Sequence, residues 1–117
     1  MRVSATLLAL GAGLVQTVQA DRWVVSQVCF FTSCSSRGSW LYNDGRRFDD
    51  VDFAEGCRAP FIPGVREACV DWRNSRAHFY EDGGRRRCMR ETGSDLEECG
   101  EWNTCITSFW DDADCTW

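Results

Sequence analysis

The chain has 117 residues, of which eight are cysteine and six are tryptophan, and its formal net charge is −5. Thirteen basic residues, all of them arginine, stand against 18 acidic residues. The chain therefore lacks the net positive charge that dominates affinity for nucleic acids, and we expect no nucleic-acid partner. After residue 20 no apolar stretch approaches the roughly 20 residues that a membrane helix needs, so we expect no membrane span.

The start of the chain has the features of a secretory signal peptide. Arg2 supplies a positive charge, a short apolar run follows, and the small-residue pattern Val-Gln-Ala precedes the predicted cleavage site. The pattern predicts a signal peptide over residues 1–20 and a single secreted domain over residues 21–117, beginning at Asp21.

All eight cysteines lie after the predicted cleavage site. An even number of cysteines in a small exported domain indicates four disulfides, and their spacing leaves the pairing open. No Cys-x-x-Cys pair occurs and the only histidine is His78, so we expect no structural zinc and no other metal or cofactor. The cysteines are Cys29, Cys34, Cys57, Cys69, Cys88, Cys99, Cys105 and Cys115.

Several segments have strand or hairpin patterns. Residues 22–31 carry apolar side chains on both alternating faces, which predicts a strand in the middle of a sheet. Residues 39–48 predict a hairpin around an Asn-Asp-Gly turn, and residues 77–89 predict a second hairpin around an Asp-Gly-Gly turn. A last strand is predicted over residues 101–110.

The segment between the hairpins has a helical pattern. Val65, Ala68 and Trp72 recur at helical spacing, with an acidic residue near the start of the segment and arginines near its end. This pattern predicts one amphipathic helix over residues 65–76. The expected fold class is therefore α+β: a small disulfide-rich domain whose antiparallel β-sheet of two hairpins plus extra strands packs on one short helix.

Fifteen aromatic residues are more than a core of this size easily hides. Exposed Trp and Tyr side chains can stack on sugars or anchor a protein interface, whereas buried ones fill the core between the disulfides. The candidates for an exposed binding surface are Trp40, Tyr42, Trp102 and Trp110.

Arginines follow the turn residues of both predicted hairpins, at Arg46 and Arg47 and at Arg85, Arg86 and Arg87. Their guanidinium groups can hold carboxylates or phosphates, and we include them in the candidate binding surface. The same pairs can be sites for a dibasic processing protease, which would leave two disulfide-linked chains. A charged hairpin edge that prevents association between sheets is the third interpretation.

Enzymatic function is not expected. A mechanism with two histidines is excluded because His78 stands alone, and no Gly-x-Ser-x-Gly or comparable nucleophile motif occurs. The acidic clusters at residues 49–52 and 111–114 offer oxygen ligands, but neither has the loop of a calcium-binding EF-hand. We assign no catalytic, cofactor-binding or metal-binding residue.

Taken together, the predicted signal peptide, the short mature chain, the eight cysteines, the abundant Trp and the use of Arg without Lys resemble the small secreted cysteine-rich proteins of filamentous fungi. That group includes effector candidates delivered to a host. The resemblance covers the whole chain. It implies an extracellular protein that binds a host protein, shields cell-wall polysaccharide or poisons competitors, mostly without catalysis.

We therefore predict a secreted, effector-like binding protein that acts on an extracellular or host protein. Two alternatives stay open. One is a module that binds cell-wall polysaccharide by stacking exposed Trp and Tyr rings on sugars. The other is a killer-toxin-like or antimicrobial protein, although agents that attack anionic membranes are mostly cationic and this chain is acidic.

Overall fold

The computed structural model describes residues 21–117, so the predicted signal peptide lies outside the described residues. Strands take up 66% of the described part, and a 3-10 helix at Trp72–Asn74 is its one helical element. The strands are β1 (Arg22–Phe30), β2 (Ser33–Leu41), β3 (Arg47–Asp52), β4 (Gly56–Arg58), β5 (Val65–Asp71), β6 (Arg76–Glu81), β7 (Arg86–Glu98) and β8 (Asn103–Ala113).

All eight strands belong to one antiparallel sheet with the order β3-β2-β1-β8-β7-β6-β5-β4. The two edge strands, β3 and β4, are consecutive in the chain and only residues 53–55 separate them, so both edges of the sheet must lie close together. The ring centroids of Trp40 in β2 and Phe79 in β6 are 4.8 Å apart, although three strands lie between these two in the sheet. The sheet therefore curls into a half-barrel whose concave face encloses the core.

Side chains hold the two edges together. Among the paired strands of residues 21–117, no ladder joins β3 to β4. Arg58 bridges them instead, because its guanidinium donates to Asp52 Oδ2 at 3.3 Å and to the carbonyl oxygens of Ala54 and Glu55 at 3.2 and 2.6 Å. The indole of Trp72 donates to the carbonyl of Phe53 at 2.9 Å. These contacts fasten the seam of the half-barrel.

The core is built around aromatic rings that point into the curl of the sheet. Trp23 is fully buried, and its ring centroid lies 4.8 Å from that of Trp40, 4.9 Å from that of Phe53 and 6.0 Å from that of Trp110. Along each strand the inward positions alternate with outward ones, as a pleated sheet requires. The core comprises Trp23, Val25, Trp40, Val51, Phe53, Ile62, Val65, Ala68, Val70, Ala77, Phe79, Met89 and Trp110.

The predicted helix over residues 65–76 is wrong, and with it the α+β class. This segment forms β5, which pairs with β4 on one side and with β6 on the other, and then the 3-10 turn. A bulge between Val65 and Glu67 shifts the register, so that Val65 and Ala68 both point inward although they are three residues apart. The bulge thus imitates the spacing of a helix within a strand.

The other predicted elements are found. The strand predicted over residues 22–31 is β1, which lies between β2 and β8 in the sheet. Both predicted hairpins and the last strand are present as well. The sequence did not predict the tight hairpin between β1 and β2, the edge strand β4 or the full length of β7.

The four expected disulfides are confirmed, and the described residues contain no free cysteine. The bridges are Cys29–Cys34, Cys57–Cys69, Cys88–Cys115 and Cys99–Cys105, with sequence separations of 5, 12, 27 and 6 residues. Each bridge therefore joins neighbouring parts of the chain. Local bridges of this kind stabilise individual hairpins and the C-terminal tail rather than the seam of the half-barrel.

Gly38 of β2 has no room for a side chain and lies opposite Val25 of β1 and Val51 of β3. A Cβ atom at this position would lie 2.7 Å from the Cα atom of Val25 and closer still to the carbonyl of Val24. We expect Gly38→Ala to lower the free energy of unfolding by about 1–3 kcal/mol, because the backbone of β1 would have to move. Denaturant unfolding of the oxidised protein measures this. Gly83→Ala is the matched control, since a Cβ atom there meets nothing within 4 Å; equal losses in the two variants would contradict the prediction.

Candidate binding site at the hairpin tips

Two hairpins extend the sheet side by side at one end. The β1–β2 hairpin turns directly after Phe30, and the β7–β8 hairpin turns between Glu98 and Asn103. They form one surface, since β1 pairs with β8 along its whole length as far as Phe30 opposite Asn103. The bridges Cys29–Cys34 and Cys99–Cys105 close the two hairpins, so this end of the protein is covalently braced.

Three aromatic side chains at this end of the sheet do not pack into the core. Phe30, Phe31 and Trp102, which we call the aromatic tip, are all exposed, Phe31 to 75% and Trp102 to 64%. The ring centroids are 4.5 Å apart for Phe30 and Phe31 and 6.2 Å apart for Phe31 and Trp102, so the three rings form one cluster. Val28 is also exposed, and it lies two residues before Phe30 and therefore on the same face of β1. Clustered exposed apolar side chains mark interaction surfaces, whereas single ones are ordinary.

The backbone at Phe31 supports the same interpretation. Phe31 has φ 56°, in the left-handed region that favours Gly or Asn. A bulky residue there raises the free energy of the fold by about 1 kcal/mol relative to glycine. Because the ring is exposed and gains nothing from the core, its contribution to stability does not explain why phenylalanine occupies this turn.

Charge at this end is purely acidic. Glu97, Glu98 and Glu101 lie on the β7–β8 hairpin close to Trp102 in the chain, all three are exposed, and none of them forms an ion pair with any other residue of the described part. Residues 23–36 carry no charge, and residues 91–117 include no basic residue. The tip therefore combines apolar rings with unneutralised negative charge.

The arginine-tipped hairpins lie at the opposite end of the sheet, where acidic neighbours pair with most of their charge. Arg46 forms an ion pair with Asp44 at 2.8 Å and lies over the ring of Tyr42, with its guanidinium carbon 4.3 Å from the ring centroid. Arg47 pairs with Asp49 at 2.7 Å. Hydrogen bonds from Ser39 and then from Arg47 lower the pKa of Asp49. These arginines therefore offer a partner little free positive charge.

The three consecutive arginines of the second hairpin differ from one another. Arg85 is mostly exposed and lies 3.9 Å from Glu81, and Arg86 is exposed without an ion pair among residues 21–117. Arg87 is largely buried, and its Nη2 atom lies 3.0 Å from Asp21 Oδ2 and 2.8 Å from Asp112 Oδ2. Burial opposes its charge, but the carboxylates of Asp112 and Asp21 outweigh burial and raise the pKa of Arg87. Arg87 is thus a structural residue and not part of a contact surface.

The predicted aromatic candidates separate in the same way. Trp40 and Trp110 lie in the core with no exposed surface, so they cannot contact a partner. Tyr42 is half-buried beneath Arg46, and burial raises the pKa of its phenol. Trp102 alone among the four is exposed, and it joins Phe30 and Phe31, which the sequence analysis missed. Their position could have revealed them, because two adjacent phenylalanines in the short segment between Cys29 and Cys34 have no core within reach.

The disulfide pairing corrects one expectation about proteolysis. A cut at Arg46-Arg47 leaves the Cys29–Cys34 bridge on one side and the other three bridges on the other side. A cut within residues 85–87 likewise crosses no bridge. The fragments would be held together by the sheet alone and not by a disulfide.

Most of the groups considered as metal ligands form ion pairs or a disulfide instead. In the first acidic cluster Asp49, Asp50 and Asp52 each pair with an arginine, and in the second cluster Asp111 pairs with Arg22 and Asp112 with Arg87. Cys57 and Cys69 lie near Glu67, but their sulfur atoms are joined in a disulfide. His78, the one histidine of the chain, has a lowered pKa. Burial is the larger cause, and the positive charge of Arg86 is the next.

Comparison of the chain with known protein families, with curated proteins and with solved structures finds no match. Residues 21–117 contain no helix with the length and the apolar character that crossing a bilayer requires. Four disulfides in a small domain are consistent with a small secreted cysteine-rich protein.

Proposed function

We propose that this chain is a secreted, effector-like binding protein that attaches to an extracellular or host protein through the aromatic tip. The observation that carries the proposal is the cluster of Phe30, Phe31 and Trp102 on an end braced by two disulfides. Large aromatic side chains contribute a disproportionate share of the binding energy in protein interfaces. Because the disulfides order these hairpins in advance, binding loses little conformational entropy.

The charges around the tip indicate the chemistry of the partner. Glu97, Glu98 and Glu101 would face the rim of any surface that covers the rings. A partner with an apolar pocket edged by basic side chains complements this pattern, and opposite charges across an interface speed association and exclude acidic competitors. We therefore propose a protein partner with a basic rim.

The ring geometry favours a protein over a polysaccharide. The planes of Phe30 and Phe31 meet at 65°, and those of Phe31 and Trp102 meet at 36°. Such rings form a wedge that enters a pocket rather than a flat platform on which consecutive sugars lie. Binding to cell-wall polysaccharide is the alternative outcome of the experiment below, and the net negative charge supplies no attraction for a toxin toward anionic membranes.

The proposal is tested with Phe31→Gly and Trp102→Ala. Each variant removes one ring of the wedge, and we expect the dissociation constant for the partner to rise at least about 30-fold, as for a strong interface residue. Phe31→Gly should keep or raise the melting temperature, because glycine accepts the left-handed backbone. Lost binding in a variant of unchanged or higher stability separates a contact residue from a structural one.

The measurement begins by cross-linking the wild-type protein to extracellular proteins of a host and then measuring affinity for the captured protein. Phe61→Gly is the matched control, since Phe61 is 94% exposed, has φ 59° and lies in the β4–β5 connection at the other end of the sheet. Capture by wild type and by Phe61→Gly but not by the tip variants supports the proposal. Equal capture by all four proteins contradicts it, and depletion by insoluble chitin, cellulose or β-glucan would favour the polysaccharide alternative.

A further inference from the structure

The first described residue is held in a buried polar network at the arginine end. Asp21 is only 2% exposed. Its carboxylate accepts a hydrogen bond from the Asn43 amide at 3.1 Å and one from Arg87 Nη2 at 3.0 Å. These contacts place the start of β1 against the β2–β3 turn and against β7.

The main-chain nitrogen of Asp21 is bound as well. It donates to Asp112 Oδ2 at 3.0 Å, and the same oxygen accepts from Arg87 Nη2 at 2.8 Å. The other terminal nitrogen of Arg87, Nη1, lies 3.5 Å from Glu81 Oε2. Three carboxylates thus surround one guanidinium, and Asp112 points directly at the nitrogen of Asp21.

This network has an excess of negative charge that one more cation would balance. With Asp21, Asp112 and Glu81 ionised, Arg87 and Arg85, which lies 3.9 Å from Glu81, supply two positive charges against three negative ones. Burial raises the pKa of the Asp21 carboxyl, and the charge of Asp112 acts in the same direction. Buried carboxylates are stable when each has a cationic or strongly donating partner. The nitrogen of Asp21 already occupies the position where such a cation would act.

We propose that the peptide bond before Asp21 is cut during export, and that Asp112 binds the new α-ammonium group of Asp21 as an ion pair within the fold. In this hydrolysis, water breaks the bond between the carbonyl carbon of Ala20 and the nitrogen of Asp21. The hydroxyl goes to the carbonyl carbon, which becomes a carboxylate, and the nitrogen takes up protons to become an ammonium. The signal pattern ending at Ala20 and the carboxylate facing the nitrogen of Asp21 are independent observations that select the same bond.

The burial of Asp21 in the folded domain does not prevent cleavage, because cleavage comes before folding. A signal peptidase acts on an extended chain before the domain folds, so the bond is accessible at that stage. Folding then places the ammonium against Asp112 of β8, and hydrogen bonds from a charged donor are about twice as strong as neutral ones. Cleavage at a neighbouring bond would put the charge one residue away from Asp112. The fold therefore distinguishes one mature N-terminus from its neighbours.

The experiment expresses the full chain, from Met1, in a eukaryotic secreting cell. Intact mass and N-terminal sequencing should show that the secreted protein begins at Asp21. A second chain carries one glycine inserted after Ala20, so that the secreted product begins with Gly and the nitrogen of Asp21 stays an amide. We expect this product to melt about 4–8 °C below the protein that begins at Asp21.

Asp112→Asn separates the ion pair from steric effects. If the ammonium binds Asp112, the difference in melting temperature caused by the extra glycine should shrink to about a third or less in Asp112→Asn. It should stay unchanged in Asp114→Asn, the matched control, since Asp114 is exposed and has the same charge. A difference that persists in Asp112→Asn would mean that the glycine merely clashes, and the proposal would be overturned.

The pH dependence provides a second readout. An α-amino group has an ordinary pKa of about 8, and a nearby carboxylate raises it, so its contribution is full at neutral pH and declines as the pH rises through the raised value. Carboxyl and guanidinium groups ordinarily titrate far outside the range from about pH 7 to about pH 9.5, and burial raises the pKa of the Tyr42 phenol further above this range. The advantage of the Asp21 terminus should therefore shrink over this range. A constant difference, or a secreted protein that begins at another residue, would also overturn the proposal.

Discussion

Trp23→Ala is expected to lower the free energy of unfolding by about 3–5 kcal/mol, which is a large part of the stability of a domain of this size. Trp23 is fully buried and its ring contacts four other aromatic rings, those of Trp40, Phe53, Phe79 and Trp110. Trp40 and Trp110 lie opposite Trp23 on the neighbouring strands β2 and β8. Phe79 comes from β6 and Phe53 from the β3–β4 connection, so an alanine would leave a cavity at the centre of the curl. Denaturant unfolding of the oxidised protein, followed by circular dichroism, measures the loss.

Two further variants sharpen this prediction. Trp23→Phe should be milder than Trp23→Ala, because most of the volume is kept and the lost indole N–H has no acceptor among the described residues. Trp102→Ala should change stability by less than about 0.5 kcal/mol, since the ring lies on the surface. A stability loss for Trp23→Ala no larger than that for Trp102→Ala would contradict the placement of Trp23 at the centre of the core.

Arg87→Ala is expected to have the second largest effect, again about 3–5 kcal/mol, because it leaves the buried carboxylate of Asp21 and the half-buried carboxylate of Asp112 without their shared cation. Arg85→Ala is the matched control at a distance of two residues. Arg85 is exposed and its ion pair is long, so its loss should cost less than about 1 kcal/mol. Chemical unfolding of both variants at neutral pH decides whether the two arginines have different roles.

The defect of Arg87→Ala should depend on pH. Burial already raises the pKa of Asp21, and removal of Arg87 takes away a charge that lowers it. In the folded variant, the protonated carboxyl of Asp21 is then more stable than the ionised one. The penalty is therefore present at neutral pH and is relieved as the pH falls through the raised pKa of Asp21. A difference from wild type that stays constant down to acidic pH would indicate lost packing rather than unpaired charge.

Features that depend on neighbouring residues could be predicted from the sequence. The Asn-Asp-Gly and Asp-Gly-Gly turns accept backbone angles that other residues avoid, so both hairpins lie where they were expected. The apolar character of both faces of residues 22–31 correctly indicated a central strand. The even number of cysteines in a small chain correctly indicated four disulfides, although the pairing depends on which strands lie opposite each other.

The segment at residues 65–71 shows where such reasoning fails. Val65 and Ala68 are three positions apart in both a helix and a bulged strand, so their spacing cannot separate the two structures. Pairing with β4 and β6 decided the outcome, because two rows of backbone hydrogen bonds to neighbouring strands are available only to a strand. β4 and β6 are the preceding and following strands of the chain, but the pairing with them is not visible within residues 65–71 themselves.

The sequence by itself determined the turns, the central strand and the number of disulfides, because each of these depends on the chemistry of adjacent residues or on a count. Only the tertiary structure decided which side chains are available to a partner. The curl of the sheet buries Trp40 and Trp110 and exposes Trp102, and it makes Arg87 a buried partner of Asp21 while Arg85 stays in solvent. Exposure depends on which strands face each other across the half-barrel, and that arrangement is a property of the whole chain.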